Sequence, residues 1–188
     1  RRQAREPVEE VAAYRAAGTP RHAVATGPMA EVVMRSTQCM TEPDLQAMAV
    51  YLRSLAPPAT EDTAGPRPDA ATLQAGAAIY AASCQSCHRA DGQGVPGMIP
   101  ALAGHAGVQS ANPASTIRVI VQGAQAAITD GNGRGTSMPA FAWNLTNAQI
   151  AAVIGFIGNS WGNSAPATTE QAVADIRKAL HAPDPAPR

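Results

Sequence analysis

Cys84-Gln85-Ser86-Cys87-His88 decides the reading of this chain. Two cysteines separated by two residues can add through sulfur to the two vinyl groups of one haem, and the histidine that follows directly is placed to ligate the iron from one side. A zinc half-site and a thioredoxin-like dithiol share the Cys-x-x-Cys spacing. Zinc normally asks for four ligands, yet Cys39 is the only other cysteine, and His22 and His105 stand at no paired ligand spacing. A dithiol of the thioredoxin kind asks for a preceding strand, whereas Leu73, Ala77 and Tyr80 recur at helical spacing and lead straight into Cys84. Covalent haem is the reading that needs nothing further.

Working outward, composition divides the 188 residues into four parts. Residues 1–56 carry helical patterns joined by a Gly/Pro-bearing loop. Residues 57–68 hold four prolines and read as a semi-rigid linker. Residues 69–163 contain the haem motif, and 164–188 form a Pro/Ala-rich tail around one short helix, Thr169 to Leu180. Within the third part, Gly76 lies among the apolar positions before Cys84, where it would let another helix approach closely. Ile117, Ile120 and Val121 support a helix over Ser115 to Ala124. Thr146-Asn147-Ala148-Gln149 is a capping-box pattern, followed by the stripe Ile150, Val153, Ile154 and Ile157. Asp91 to Gly107 and Thr129 to Ala140 are Gly/Pro-rich loops. Aromatics make up only 4% of the chain, so a buried porphyrin would supply apolar bulk that the side chains lack. The fold class expected is all-α, wrapped around that group.

Fourteen basic and fourteen acidic residues give zero formal charge with no long block of either sign. That gives no support to nucleic-acid binding or polybasic membrane attachment. No run approaches the about 20 apolar residues of a membrane span, so membrane association is expected only through other parts or partners. Arg1 to Glu6 is charged and lacks the apolar segment of a signal peptide. Covalent haem attachment belongs to an exported compartment, so a periplasmic location and a chain start other than the natural one are expected. No Ser/His/Asp set or carboxylate pair stands beside the motif, and the chain is expected to carry electrons rather than to act as an enzyme.

A second axial ligand would complete six-coordinate iron, and a thioether there raises the reduction potential. Met138, in Gly135-Thr136-Ser137-Met138-Pro139-Ala140-Phe141, lies just before the last helix of this part, with Pro139 stiffening its loop. Met98, in Val95-Pro96-Gly97-Met98-Ile99-Pro100, follows His88 too closely in the chain to reach the opposite face easily.

Together, Cys84 to His88, Gly92-Gln93-Gly94-Val95-Pro96-Gly97-Met98-Ile99-Pro100-Ala101-Leu102-Ala103-Gly104 and Met138-Pro139-Ala140-Phe141 resemble a class I cytochrome c domain over residues 69–163. The resemblance implies one haem c attached through Cys84 and Cys87, with His88 and Met138 as axial ligands. It implies further that the Pro100 carbonyl accepts the second ring N–H of His88, and that Gly76, Tyr80 and Phe156 occupy the crossing of first and last helices.

Residues 1–56 are then intelligible as a half-repeat. Thr41 to Leu52 runs parallel to Thr146 to Ile157: Leu45 answers Ile150, Met48 answers Val153, Tyr51 answers Phe156 and Leu52 answers Ile157. Gly27-Pro28-Met29 would take the place of Met138, and Val8 to Tyr14 that of the helix around Ile117. This looks like the second half of another cytochrome c domain whose own Cys-x-x-Cys-His lies upstream, leaving Met29 an orphaned ligand or a packing residue. Without porphyrin, Val8, Val11, Leu45, Met48 and Leu52 would have little to bury against, so residues 1–40 are expected to be less ordered or unusually packed. No chemistry is visible for Cys39.

The whole pattern resembles the multihaem cytochrome subunits of bacterial periplasmic dehydrogenases, of the alcohol, gluconate, sorbitol and molybdenum-hydroxylase kinds. Such a resemblance implies a dehydrogenase catalytic subunit and other haem domains as partners, and a quinone or terminal oxidase as acceptor. A peroxidase or ligand sensor with an open sixth site is the alternative.

Overall fold

A computed structural model describes residues 8–17, 23–55 and 65–185. Among these, the secondary structure is eight helices and a single two-stranded sheet, the all-α class expected from the sequence. No helix among them is long and apolar enough to cross a membrane. The chain divides into two compact units: one takes the described parts of Arg1–Ala59 together with Val95–Pro100 and Gln125–Ser137, the other takes those of Thr60–Gly94, Ala101–Ala124 and Met138–Arg188. Most of the Pro-rich stretch expected as a linker, and residues 1–7 and 18–22, lie outside the described residues.

In the first unit, helix α1 (Val8–Ala17) packs on α3 (Glu42–Ser54). The faces expected to lack partners find them here: Ala12, Leu45 and Ala49 are buried together, with Val11 and Met40 half-buried around them. Small side chains at Ala12 and Ala49 let the two helices approach, so burial is obtained without a large group between them. Leu52 remains exposed. Helix α3 is capped by Thr41, whose Oγ1 accepts from the Asp44 amide at 3.4 Å. Between them, Pro28 opens α2 (Pro28–Arg35), at a position where a backbone N–H would have had no helical partner, so its absence costs nothing. Its Ala30 and Val33 are buried with Ala25 and Ala127. Met29 sits in the first turn of α2, half-buried against that cluster, so it is helical where Met138 is extended. The loop from Gln125 to Ser137 is fastened to this unit by main-chain pairing. Ala127 N–H donates to the Ala25 carbonyl at 3.1 Å, and Thr26 bridges to Ala126.

The second unit is built on the crossing of α4 (Ala70–Ser83) and α7 (Asn147–Ile157). A Cβ at Gly76 would stand 2.2 Å from the Ala152 carbonyl oxygen and 2.7 Å from Phe156 Cβ, so glycine is required where the two backbones meet. The capping box at Thr146 forms as its pattern predicts: Gln149 N–H donates to Thr146 Oγ1 at 3.2 Å and Thr146 N–H to Gln149 Oε1 at 2.9 Å. Helix α7 is buried nearly all round, Ala151, Ala152 and Gly155 as well as the expected stripe, because α6 (Ala114–Gln122) and α8 (Glu170–Ala179) also pack on it. The tail helix α8 begins at its Thr169 cap and contributes Val173 to the core. At the unit's base, Ala167 N–H donates to the Pro66 carbonyl and Arg67 to Ser164 Oγ, both at 2.8 Å.

Candidate haem site

Helix α4 stops at Cys84, and a single turn, α5 (Gln85–His88), follows at once. Within it the His88 amide donates to the Cys84 carbonyl at 2.9 Å, and Arg89, at φ +65°, ends the turn. One helical turn therefore carries Cys84, Cys87 and His88 at positions i, i+3 and i+4, which share a face. Both cysteines are free thiols, Cys84 half-buried and Cys87 exposed. Burial, and next the neighbouring charge of Cys87, push the Cys84 thiol up to about 11, which keeps it protonated at neutral pH. His88 is 8% exposed.

The peptide after the motif is held from three sides. Tyr80 donates its phenol proton to the Arg89 carbonyl at 2.6 Å, and the Trp161 indole N–H donates to Ala90 O at 3.0 Å. Gly92, at φ +67°, lies against the Trp161 ring so closely that a Cβ would be 2.5 Å from it. Its carbonyl accepts from Leu102 and Ala103 at 2.7 and 3.1 Å. Tyr80, Phe156 and Trp161 form one aromatic cluster with ring centroids 5.2–5.7 Å apart. Burial, ahead of the charges of Cys84 and Asp91, pushes the Tyr80 phenol up to about 12. Asn163, buried, donates to the carbonyls of Leu102 and Ile157 and accepts from Gly104 N–H at 2.8 Å. The Arg89–Asp91 ion pair at 3.6 Å is exposed and contributes little.

Met138 lies on β2 (Ser137–Met138), paired with β1 (Ala124–Gln125), and packs half-buried against the apolar core of the second unit. Gly123 makes this possible: at φ +75°, a Cβ there would lie 2.5 Å from the Met138 carbonyl oxygen. Phe141 and Ala142 N–H donate to the Ile120 and Val121 carbonyls at 2.9 and 3.3 Å, tying the segment to the end of α6. Cys84 borders the same apolar cluster, as do Leu102 and Phe141. Two free thiols and a buried imidazole on one turn, with a thioether on another segment of the same apolar cluster, form a donor set that fits a covalently held haem. Among the described residues no group of three or more His, Cys, Asp or Glu side chains could hold a metal ion, so the zinc reading gains nothing.

Pro100 and Met98 belong to Val95–Pro100, which packs with the first unit and is closed by a Val95–Ile99 bridge. Pro100 is half-buried and Met98 exposed. Cys39 is exposed in a short 3-10 turn after α2. Three supports escape sequence reasoning: Trp161, Asn163 and Arg177. The first two stand just beyond α7, where nothing local demands them. An arginine in an amphipathic tail helix reads as solvated.

The family model for cytochrome c matches residues 73–161. The chain is 36% identical over 179 residues to the cytochrome c subunit of alcohol dehydrogenase (quinone) of Gluconacetobacter polyoxogenes, covering 90% of this chain and 38% of that protein. It is 35% identical over 167 residues to the gluconate 2-dehydrogenase cytochrome c subunit of Pantoea cypripedii, covering 84% and 38%. The chain thus spans less than two fifths of either relative. Cytochrome c-552 of Thermus thermophilus is 39% identical over 93 residues, which make up 47% of this chain and 70% of that protein. With the motif, the helix crossing and these likenesses together, the chain belongs to the cytochrome c family.

Proposed function

We propose that the second unit is a one-electron carrier in a dehydrogenase complex, holding one haem c through Cys84 and Cys87 with His88 and Met138 as axial ligands. The observation that carries this is the single turn bearing both thiols and the buried imidazole, on the same apolar cluster as Met138. When bound, the haem supplies a one-electron Fe(III)/Fe(II) couple. Cys84 and Cys87 would fix its edge through thioether bonds. His88 is fixed in turn by the bonds that Tyr80, Trp161 and Leu102 make to residues 89–92. The apolar wall of Ile117, Ile120, Val121, Ile150 and Val153 disfavours the extra positive charge of the oxidised state and so raises the potential.

A dehydrogenase catalytic subunit as electron donor is supported by the names of the similar subunits; a quinone or terminal oxidase as acceptor, and a periplasmic setting, follow from the same reading. We read the first unit as the remainder of a second cytochrome c domain. In the register that pairs Tyr51 with Phe156, Val50 answers Gly155. On α7 that face lies against α4, whereas on α3 Val50 is 55% and Tyr51 63% exposed. The bare face is the one a first helix of another such domain would cover.

The test is the chain made with haem-maturation machinery. A covalent-haem stain on a denaturing gel is expected for the wild type and lost in Cys84→Ala/Cys87→Ala. Oxidised protein should show the weak far-red thioether-to-iron band, and Met138→Ala should abolish it. A band that survives in Met138→Ala would overturn the ligand assignment.

A further inference from the structure

We propose that Arg177 is a positioning residue for the axial methionine: from the tail helix it clamps the segment that carries Met138, and so holds the thioether on the iron. The proposal rests on the His88/Met138 reading above.

Arg177 lies in the last turn of α8 and is 3% exposed. Its Nε donates to Asn147 Oδ1 at 2.8 Å, Nη1 to the carbonyls of Ala142 at 2.9 Å and Pro183 at 2.5 Å, and Nη2 to the Leu145 carbonyl at 2.8 Å. None of these acceptors is a carboxylate. A charge buried without a counter-ion is tolerated only when its protons are taken up by well-placed acceptors; here four of the fork's five are.

Two of those acceptors, Ala142 and Leu145, lie on one segment. Residues 139–146 join Met138 to the start of α7 and belong to no helix or strand, so their buried carbonyls must find partners elsewhere. On one side, Phe141 and Ala142 donate to the end of α6. On the other, Ala142 and Leu145 present their carbonyls to an arginine more than thirty residues later, which also reaches the first residue of α7. After α8 the chain turns at His181, φ +50°, and brings the Pro183 carbonyl back onto the guanidinium. The tail residues Leu180 and Ala182 pack against the core beside it. The clamp fixes the rear of the segment whose front carries Met138. A planar fork with five N–H groups reaches four separate acceptors at once; an ammonium, with three on one nitrogen, cannot.

The experiment uses the full haem-loaded chain in the oxidised state and titrates imidazole, which competes with the methionine for the iron. Tryptophan fluorescence verifies that each variant is folded at the temperature used. Arg177→Leu is expected to bind imidazole about tenfold more tightly than wild type and to show a weaker far-red band. Arg177→Lys should fall nearer to Leu than to wild type. Asn147→Ala removes one bond of the clamp, so it keeps the test open if Arg177→Leu does not fold; it should shift the affinity about threefold. Adding Arg177→Leu to Met138→Ala should change nothing further. If the Arg177 and Asn147 variants lose stability yet keep the band and bind imidazole within about twofold of wild type, the clamp has no positioning role. If Met138→Ala itself keeps the band, the ligand assignment fails and the proposal falls with it.

Discussion

Replacing Gly76 by alanine sets two magnitudes against each other. In an isolated helix the change is favourable by about 1 kcal/mol, because glycine loses more backbone entropy on folding. At the crossing of α4 and α7 the new methyl would lie 2.2 Å from the Ala152 carbonyl oxygen and 2.8 Å from the carbonyl carbon. Ordinary contact needs roughly 3.3 Å, so the helices must part by about 1 Å. Both obstacles are backbone and cannot swing aside. Parting them loosens the Tyr80–Phe156 contact, now 5.4 Å between centroids, and forfeits dispersion along the seam. Overpacking of this kind costs about 1–3 kcal/mol; with backbone as the obstacle we take the upper end, for a net loss of about 2 kcal/mol. The control is Ala78→Gly on the exposed side of α4, which should lose about 1 kcal/mol from propensity alone. Both tryptophans lie in the second unit, so urea unfolding followed by their fluorescence reports on that unit. A Gly76→Ala protein as stable as wild type, or more so, would refute the crossing argument.

Tyr80→Phe deletes the hydrogen bond to Arg89 and should cost about 1 kcal/mol at neutral pH. Because the phenol is held up to about 12 in the folded chain against about 10 unfolded, its contribution is complete below pH 10 and lost as pH rises towards 12; urea titrations over this range should show a flatter fall for the Phe variant. In haem-loaded protein Cys84 no longer ionises, and burial with Asp91 should preserve the direction. Tyr51 should react readily with a phenol-modifying reagent in this chain and be protected in a longer protein that supplies a covering cytochrome c helix; equal reactivity in both would count against the half-domain reading.

What the residues alone determined is everything set by short range: the cofactor from Cys84 to His88, the start of α7 from Thr146 and Gln149, and the glycine needed at the helix crossing. The parallel between α3 and α7 belongs here too, since an apolar pattern repeats wherever the same packing problem does. Only the tertiary structure decided what supports the motif. The hydrogen bonds of Trp161 to Ala90, Asn163 to Leu102 and Arg177 to Leu145 join positions 71, 61 and 32 residues apart. No local propensity encodes such pairs, because they form only when other elements have fixed where a buried carbonyl points. The same holds for Gln125–Ser137, which reads as a loop in the middle of one domain and packs with the first unit instead. Its Ala127 amide, having no helix to join, takes the carbonyl of Ala25.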